Sequence, residues 1–173
     1  YLRRLQYNGS CPVRTRKATQ YILDPSKVLI LPSCHAGFKA HGGFQRPRQV
    51  GAVVTPERWN SSTECGNGLH GFLKGEGCGS LADWSETAEW LVIEADTASV
   101  VNLGGEKVKV PRCTIAHVGQ GDSAVAKRID CLTFMASKGQ LGEAPIGRVA
   151  QALGNRSTLT GGDGSTLTGG YGS

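Results

Sequence analysis

No run of eighteen apolar residues occurs anywhere in the 173 residues, which leaves no segment able to cross a membrane as a helix. No acid occurs among residues 1–23, while Arg3, Arg4, Arg14, Arg16 and Lys17 all fall there. The net charge of +5 therefore sits in the leader, and the rest of the chain is balanced. There is no Ser-His-Asp order, no phosphate-cradling glycine loop and no paired-carboxylate motif, so hydrolase and nucleotidase signatures are missing. There is no Cys-x-x-Cys knuckle either, and the closest approach to a zinc set is His35, His41 and His70 with Cys34, Cys65 and Cys78 at irregular spacing. Neither a recognition motif nor an aromatic platform accompanies the basic leader, so no specific nucleic-acid partner is expected. An anionic membrane or glycan surface suits five clustered cations better, and the bland alternative is a solvated, disordered leader.

What the chain does have is a repeat. Residues 155–162 read Asn-Arg-Ser-Thr-Leu-Thr-Gly-Gly, residues 163–170 read Asp-Gly-Ser-Thr-Leu-Thr-Gly-Gly, and Tyr171-Gly172-Ser173 starts a third unit. A fixed eight-residue period points to a solenoid, although the composition would also suit a flexible linker. In an extended strand side chains alternate. Leu159 and Leu167 then point inward with Ser157 and Ser165, and Thr158, Thr160, Thr166 and Thr168 face outward in pairs. The Gly-Gly steps supply positive-φ corners. Coils stack roughly 4.8 Å apart and threonines two apart on a strand lie about 6.7 Å apart. A stack would thus present a flat grid of hydroxyls and methyls able to order water. One coil cannot bury its own face. The chain is accordingly expected to be a piece of something longer, and residue 1 being tyrosine leaves room for a removed signal peptide.

The six cysteines allow three bridges in any of fifteen pairings, or free buried thiols, or the irregular zinc set. Asn8, Asn60 and Asn155 each open an Asn-x-Ser sequon, which leans toward an exported protein.

Between leader and repeat the pattern predicts an α+β domain. Lys27–Leu31 reads as a buried strand, and residues 33–47, rich in glycine and histidine, as loop. Val50–Val54 reads as a second strand, with a helix starting at Thr55-Pro56 and Trp59 beyond it. Residues 65–80 carry six glycines, and Gly68–Leu73 within them suits a strand passing close to another backbone. Residues 80–89 are expected to be a short helix. Trp90–Ala95 is nearly all apolar and should lie centrally in the sheet. Residues 99–110 form a hairpin around Gly104-Gly105, and residues 112–118 a further strand. Ala124, Val125, Ile129, Leu132 and Met135 ride one face of a helix capped by Asp122. The tryptophans Trp59, Trp84 and Trp90 are expected as core anchors. The division predicted is 1–26 basic leader, 27–136 domain, 137–154 linker and 155–173 octads.

Taken together, several blocks resemble the N-terminal domain of the bacterial ice-nucleation proteins. They are Val28-Leu29, the Cys34 region, Gly43 with Pro47, Trp59, Asn67-Gly68-Leu69 with Gly71-x-Leu73-x-Gly75, Ala88-x-Trp90-x-Val92-x-Glu94, Val108-Lys109-x-Pro111-Arg112 and His117-Val118-Gly119. The octads are similar to the start of that family's Thr-x-Thr tract with its tyrosine. Lys74 stands where a tryptophan is usual, and the leader and most of the cysteines are departures. The resemblance implies a long β-solenoid that orders water and seeds ice, with the domain serving attachment or assembly. It also implies no cofactor and no catalysis, ice or water and further copies of itself as partners, and a place at the cell surface, on the outer membrane or secreted. Tyr171 would open a tyrosine ladder. An enzyme is the rival class: His70 in its glycine-rich turn and Glu94 on a central strand could serve an ADP-ribosyltransferase-like site, against the plainer view of a packing histidine and a strand-edge carboxylate.

Overall fold

The computed structural model describes residues 23–146. The octads and the five leader cations lie outside the described residues. Eight strands and one helix make up the described part: β1 (Lys27–Leu31), β2 (Ser33–Cys34), β3 (Val53–Val54), β4 (Leu69–Leu73), β5 (Glu89–Asp96), β6 (Val101–Asn102), β7 (Val108–Val110), β8 (Cys113–Val118) and α1 (Ala124–Ser137). The strands form a single sheet in the order β3-β8-β5-β1-β4-β7-β6, with β2 paired to β5. Every pairing is antiparallel. One sheet with one helix on it is the α+β class read from the sequence.

β5 sits between β1 and β8, the central place its apolar run called for. Alternation sorts its side chains to two faces. Leu91, Ile93 and Ala95 join Val28, Ile30, Leu69, Val110 and Ile115 on one face, closed over by Phe38 and the partly buried Phe44 and Ala52. Trp90 and Val92 join Leu29, Leu31 and Phe72 on the other, against Cys131, Leu132 and Met135 of α1. Burying each such side chain fully is worth about 1.5–3 kcal/mol, so the helix is held mainly by this seam. Polar clips fix its rotation: Lys127 Nζ meets Glu89 Oε2 at 2.9 Å, and His117 Nε2 meets Asp130 Oδ2 at 2.6 Å with its ring stacked on Phe134. The turn into α1 passes so close that a Cβ on Gly119 would stand 2.5 Å from the Lys127 carbonyl oxygen.

β1 and β2 are one strand interrupted by Pro32, since both pair with β5 in the same register. The β1–β4 ladder ends at Leu31↔Phe72. Gly71 lies against Pro32, where a Cβ would meet Ile30 Cγ2 at 2.5 Å. Beyond that point β2 pairs only with β5 and β4 only with β7, so the two part. The segment after α1 returns to the domain: Gly142 and Ile146 donate to the carbonyls of Lys74 and Gly75, and Ile146 is buried.

Five expectations about secondary structure need correcting. No helix begins at Thr55-Pro56; residues 55–68 are irregular, because the polar run Asn60-Ser-Ser-Thr offers no face to bury. The helix over 80–89 is only a single 3₁₀ turn at Gly79–Leu81. Asp83 takes the local alternative, its carboxylate accepting from the Ser85 backbone N–H at 2.9 Å. The second strand is confined to Val53–Val54, as Gly51 turns at φ +87°. At α1 the cap is Ser123, whose hydroxyl accepts from the Ala126 N–H at 3.2 Å, one residue past the expected Asp122. Residues 33–47 contain β2 as well as loop. The five cysteines among the described residues are all free, and burial raises the Cys34, Cys113 and Cys131 thiols, Cys113 to about 12.

A cationic cleft where two strands part

The parting of β2 and β4 opens a cleft of about 850 Å³. Its walls are the 39–46 loop, the 57–68 loop, His70 on β4 and the 80–84 loop. Each wall is fixed by a polar contact that the sequence spreads far apart.

Lys109 fixes one. It faces the same side as His70, its register partner across β4 and β7. Its side chain is completely buried, and Nζ donates to Asn60 Oδ1 at 2.9 Å, to the Glu64 carbonyl at 2.9 Å and to the Gly66 carbonyl at 3.3 Å. Three donors meet three oxygens, so the ammonium is satisfied without a carboxylate. Trp59 lies over it, 5.8 Å from Nζ to the ring centre. His70 holds the same loop from the other side, its Nε2 accepting from the Gly66 N–H at 3.4 Å. Burial, then the nearby Lys107, Lys109 and Arg46 charges, push the imidazole down to about 4. It is neutral at physiological pH. With Nε2 accepting, the ring proton belongs on Nδ1.

Arg46 fixes the second wall. Only 5% of its surface is exposed, and its guanidinium donates to Cys34 Sγ at 3.5 Å and to the His70 carbonyl at 3.2 Å. The third is fixed through Asp83, whose N–H donates to Ser33 Oγ at 3.0 Å and whose carboxylate meets His35 Nδ1 at 2.7 Å. Burial alone would raise the Asp83 carboxyl, but hydrogen bonds from Ser85 and His35 outweigh it and hold it low. Trp84 follows, with Nε1 donating to the Gly79 carbonyl at 2.6 Å, Arg128 stacked 5.0 Å over its ring and Trp90 at 5.8 Å. Trp84 nevertheless stays 50% exposed and Trp59 38%, so of the three tryptophans only Trp90 is a core anchor.

The two residues of the transferase-like alternative are not brought together. Glu94 is level with Leu29 on β1, while His70 is level with residue 33, two strands from β5. Strand spacings put their Cα atoms roughly 16 Å apart. Glu94 lines none of the cleft. Its carboxyl is raised by burial and by Asp96, and it is paired on both sides within the central strand, with Leu29 and Thr114. The zinc candidates do not assemble: among the described residues no three His, Cys, Asp or Glu side chains gather as a metal would require. Sequence reading missed Arg46 and Lys109. For Lys109 the signal was there, a lone cation between Val108 and Val110 in a strand otherwise buried.

The fold and cleft define an antiparallel α+β domain with a built cationic recess. Neither a protein-family model nor a solved structure matches the chain. Curated proteins do. The chain is 32% identical to an ice nucleation protein of Pseudomonas fluorescens over 100 residues, which is 57% of this chain and 8% of that protein. It is 32% identical over 99 residues to ice nucleation proteins of Pseudomonas syringae and of Pseudomonas syringae pv. syringae, with the same coverage. The resemblance read from the blocks is thereby borne out, over a stretch that spans less than a tenth of those relatives' length. Among the described residues no helix is long and apolar enough to cross a membrane.

Proposed function

We propose that the chain is part of an ice-nucleation-type protein, a non-enzymatic scaffold that organises water. The similarity to the ice nucleation proteins carries this reading, and the octad repeat supports it independently. In it Thr158, Thr160, Thr166 and Thr168 are the water-facing groups, Ser157, Leu159, Ser165 and Leu167 fill the coil, and Tyr171 opens a ladder. The domain ahead of the octads serves attachment or assembly at the cell surface, and Arg3, Arg4, Arg14, Arg16 and Lys17 meet an anionic membrane or glycan. Self-association would widen the threonine grid. Two octads present too small a patch to nucleate well, so the chain as given should be a weak nucleator.

The test is droplet freezing on chains extended octad by octad. Freezing temperature should climb with octad number and drop back when the outward threonines become lysine with the fold intact. Freezing that ignores both changes rejects the reading. The charge of the leader favours one second reading, an attachment module without ice activity. Binding to anionic vesicles that fades across a salt series, in a chain whose extension never raises the freezing temperature, would select it.

A further inference from the structure

We infer that the cleft between β2 and β4 is a binding site for a nucleotide, a ligand that joins an aromatic ring to phosphate. Three observations converge on it. The first is size and build. A volume of about 850 Å³ falls in the range of small-molecule sites, and its walls are pinned by Lys109, Arg46 and Asp83 before any ligand arrives. The second is uncompensated charge. Arg46, Lys39, Arg58 and Lys107 line the cleft against Glu57 and Asp83, and Asp83 is already taken by His35. None of the four cations pairs with a carboxylate among the described residues. Arg46 is the telling one. The residue is nineteen-twentieths buried, where an arginine normally has an anionic partner, and its guanidinium instead meets a thiol and a backbone carbonyl. Phosphate oxygens match its forked donors, with Lys107 and Arg58 as additional point charges. The third is an aromatic surface held open. Trp84 is locked by Gly79, Arg128 and Trp90 yet half exposed, with Leu81 beside it 42% exposed. Rings of this kind serve as stacking platforms for a base. The neutral His70 leaves Nδ1–H as a donor at the same site.

The probe is ADP, with adenosine and inorganic phosphate as its two halves, titrated against the full chain by calorimetry and by Trp84 fluorescence. ADP should bind saturably, with each half at least tenfold weaker. Lys107→Gln and Arg58→Gln, at the cleft's rim, should each weaken ADP by about three- to tenfold while leaving the unfolding transition in place. Trp84→Ala should weaken ADP and adenosine but leave phosphate unchanged. Arg46→Gln should abolish binding; should it also unfold the chain, the rim variants decide. No saturable ADP signal up to about ten times a typical weak-site dissociation constant of 1 mM overturns the inference. So does binding that Lys107→Gln, Arg58→Gln and Trp84→Ala all leave unchanged. Neither outcome bears on ice activity, which is read from freezing alone.

Discussion

The two halves of one sheet face are built from opposite materials. Over β5 and β8 lies a dry seam in which Trp90, Val92, Cys131, Leu132 and Met135 meet with almost no surface left open. Over β4 and β7 lies no regular element. There a buried lysine and a neutral histidine hold an irregular loop by hydrogen bonds, three from Lys109 and one to His70, with the buried Arg46 reaching the His70 carbonyl where the strands part. Apolar contact is non-directional and tolerates motion, whereas each polar strut demands one geometry. The dry half therefore supplies stability. The polar half supplies a shaped recess.

Substitutions can break that contrast. The largest effect is expected at Trp90→Ala, which should cost about 3–5 kcal/mol by removing the centre of the seam, seen as a lower urea midpoint with all probes moving together. A loss below about 1 kcal/mol would mean the helix seam does not carry the fold. Lys109→Ala should cost about 2–3 kcal/mol, because three loop oxygens lose one charged donor. Its signature is local: amides of residues 60–66 should lose hydrogen-exchange protection before those of β5 do. Lys109→Met should recover packing without recovering the loop, and uniform loss of protection in both variants would remove the strut role.

Acid comes next. The folded-state value of His70, about 4, lies below its ordinary 6.5, so the unfolded chain binds the extra proton between those values. Stability should be fully present above pH about 6.5 and fall as pH drops toward 4, by about 1–2 kcal/mol once solvent screening of this half-exposed ring is allowed for. His70→Gln should flatten that part of the profile, and an unchanged slope would show that other groups set it. The smallest effect belongs to Ser123→Ala, about 1 kcal/mol, from losing the cap of α1. Asp122→Ala should do less, and the reverse order would restore Asp122 as the cap.

How legible was this in the sequence? The dry half was almost fully so. Lys27–Leu31, Trp90–Ala95 and residues 112–118 announce themselves as apolar runs between turn residues, and Leu132 and Met135 fall at helical spacing, so local pattern and tertiary role agree. The Gly104-Gly105 hairpin followed from turn chemistry. The polar half was not legible, since Lys109 is tied to residues 43 to 49 positions away and Arg46 to His70 24 positions on. No periodicity encodes such a contact. The false helix over 80–89 came from the same blindness: Asp83 and Trp84 looked like helix-compatible residues until their partners Ser33, His35 and Arg128 were in place. The octads are the opposite case, a pattern so local that two units suffice to predict a fold, though they lie outside the described residues.

Droplet freezing with the domain held constant and the octads varied speaks most directly to whether water is ordered by the repeat. Freezing temperature is expected to rise step by step with octad number and to be indifferent to Lys107→Gln or Trp84→Ala in the cleft. A freezing temperature that stays flat as octads are added, or that moves with the cleft variants instead, would contradict it.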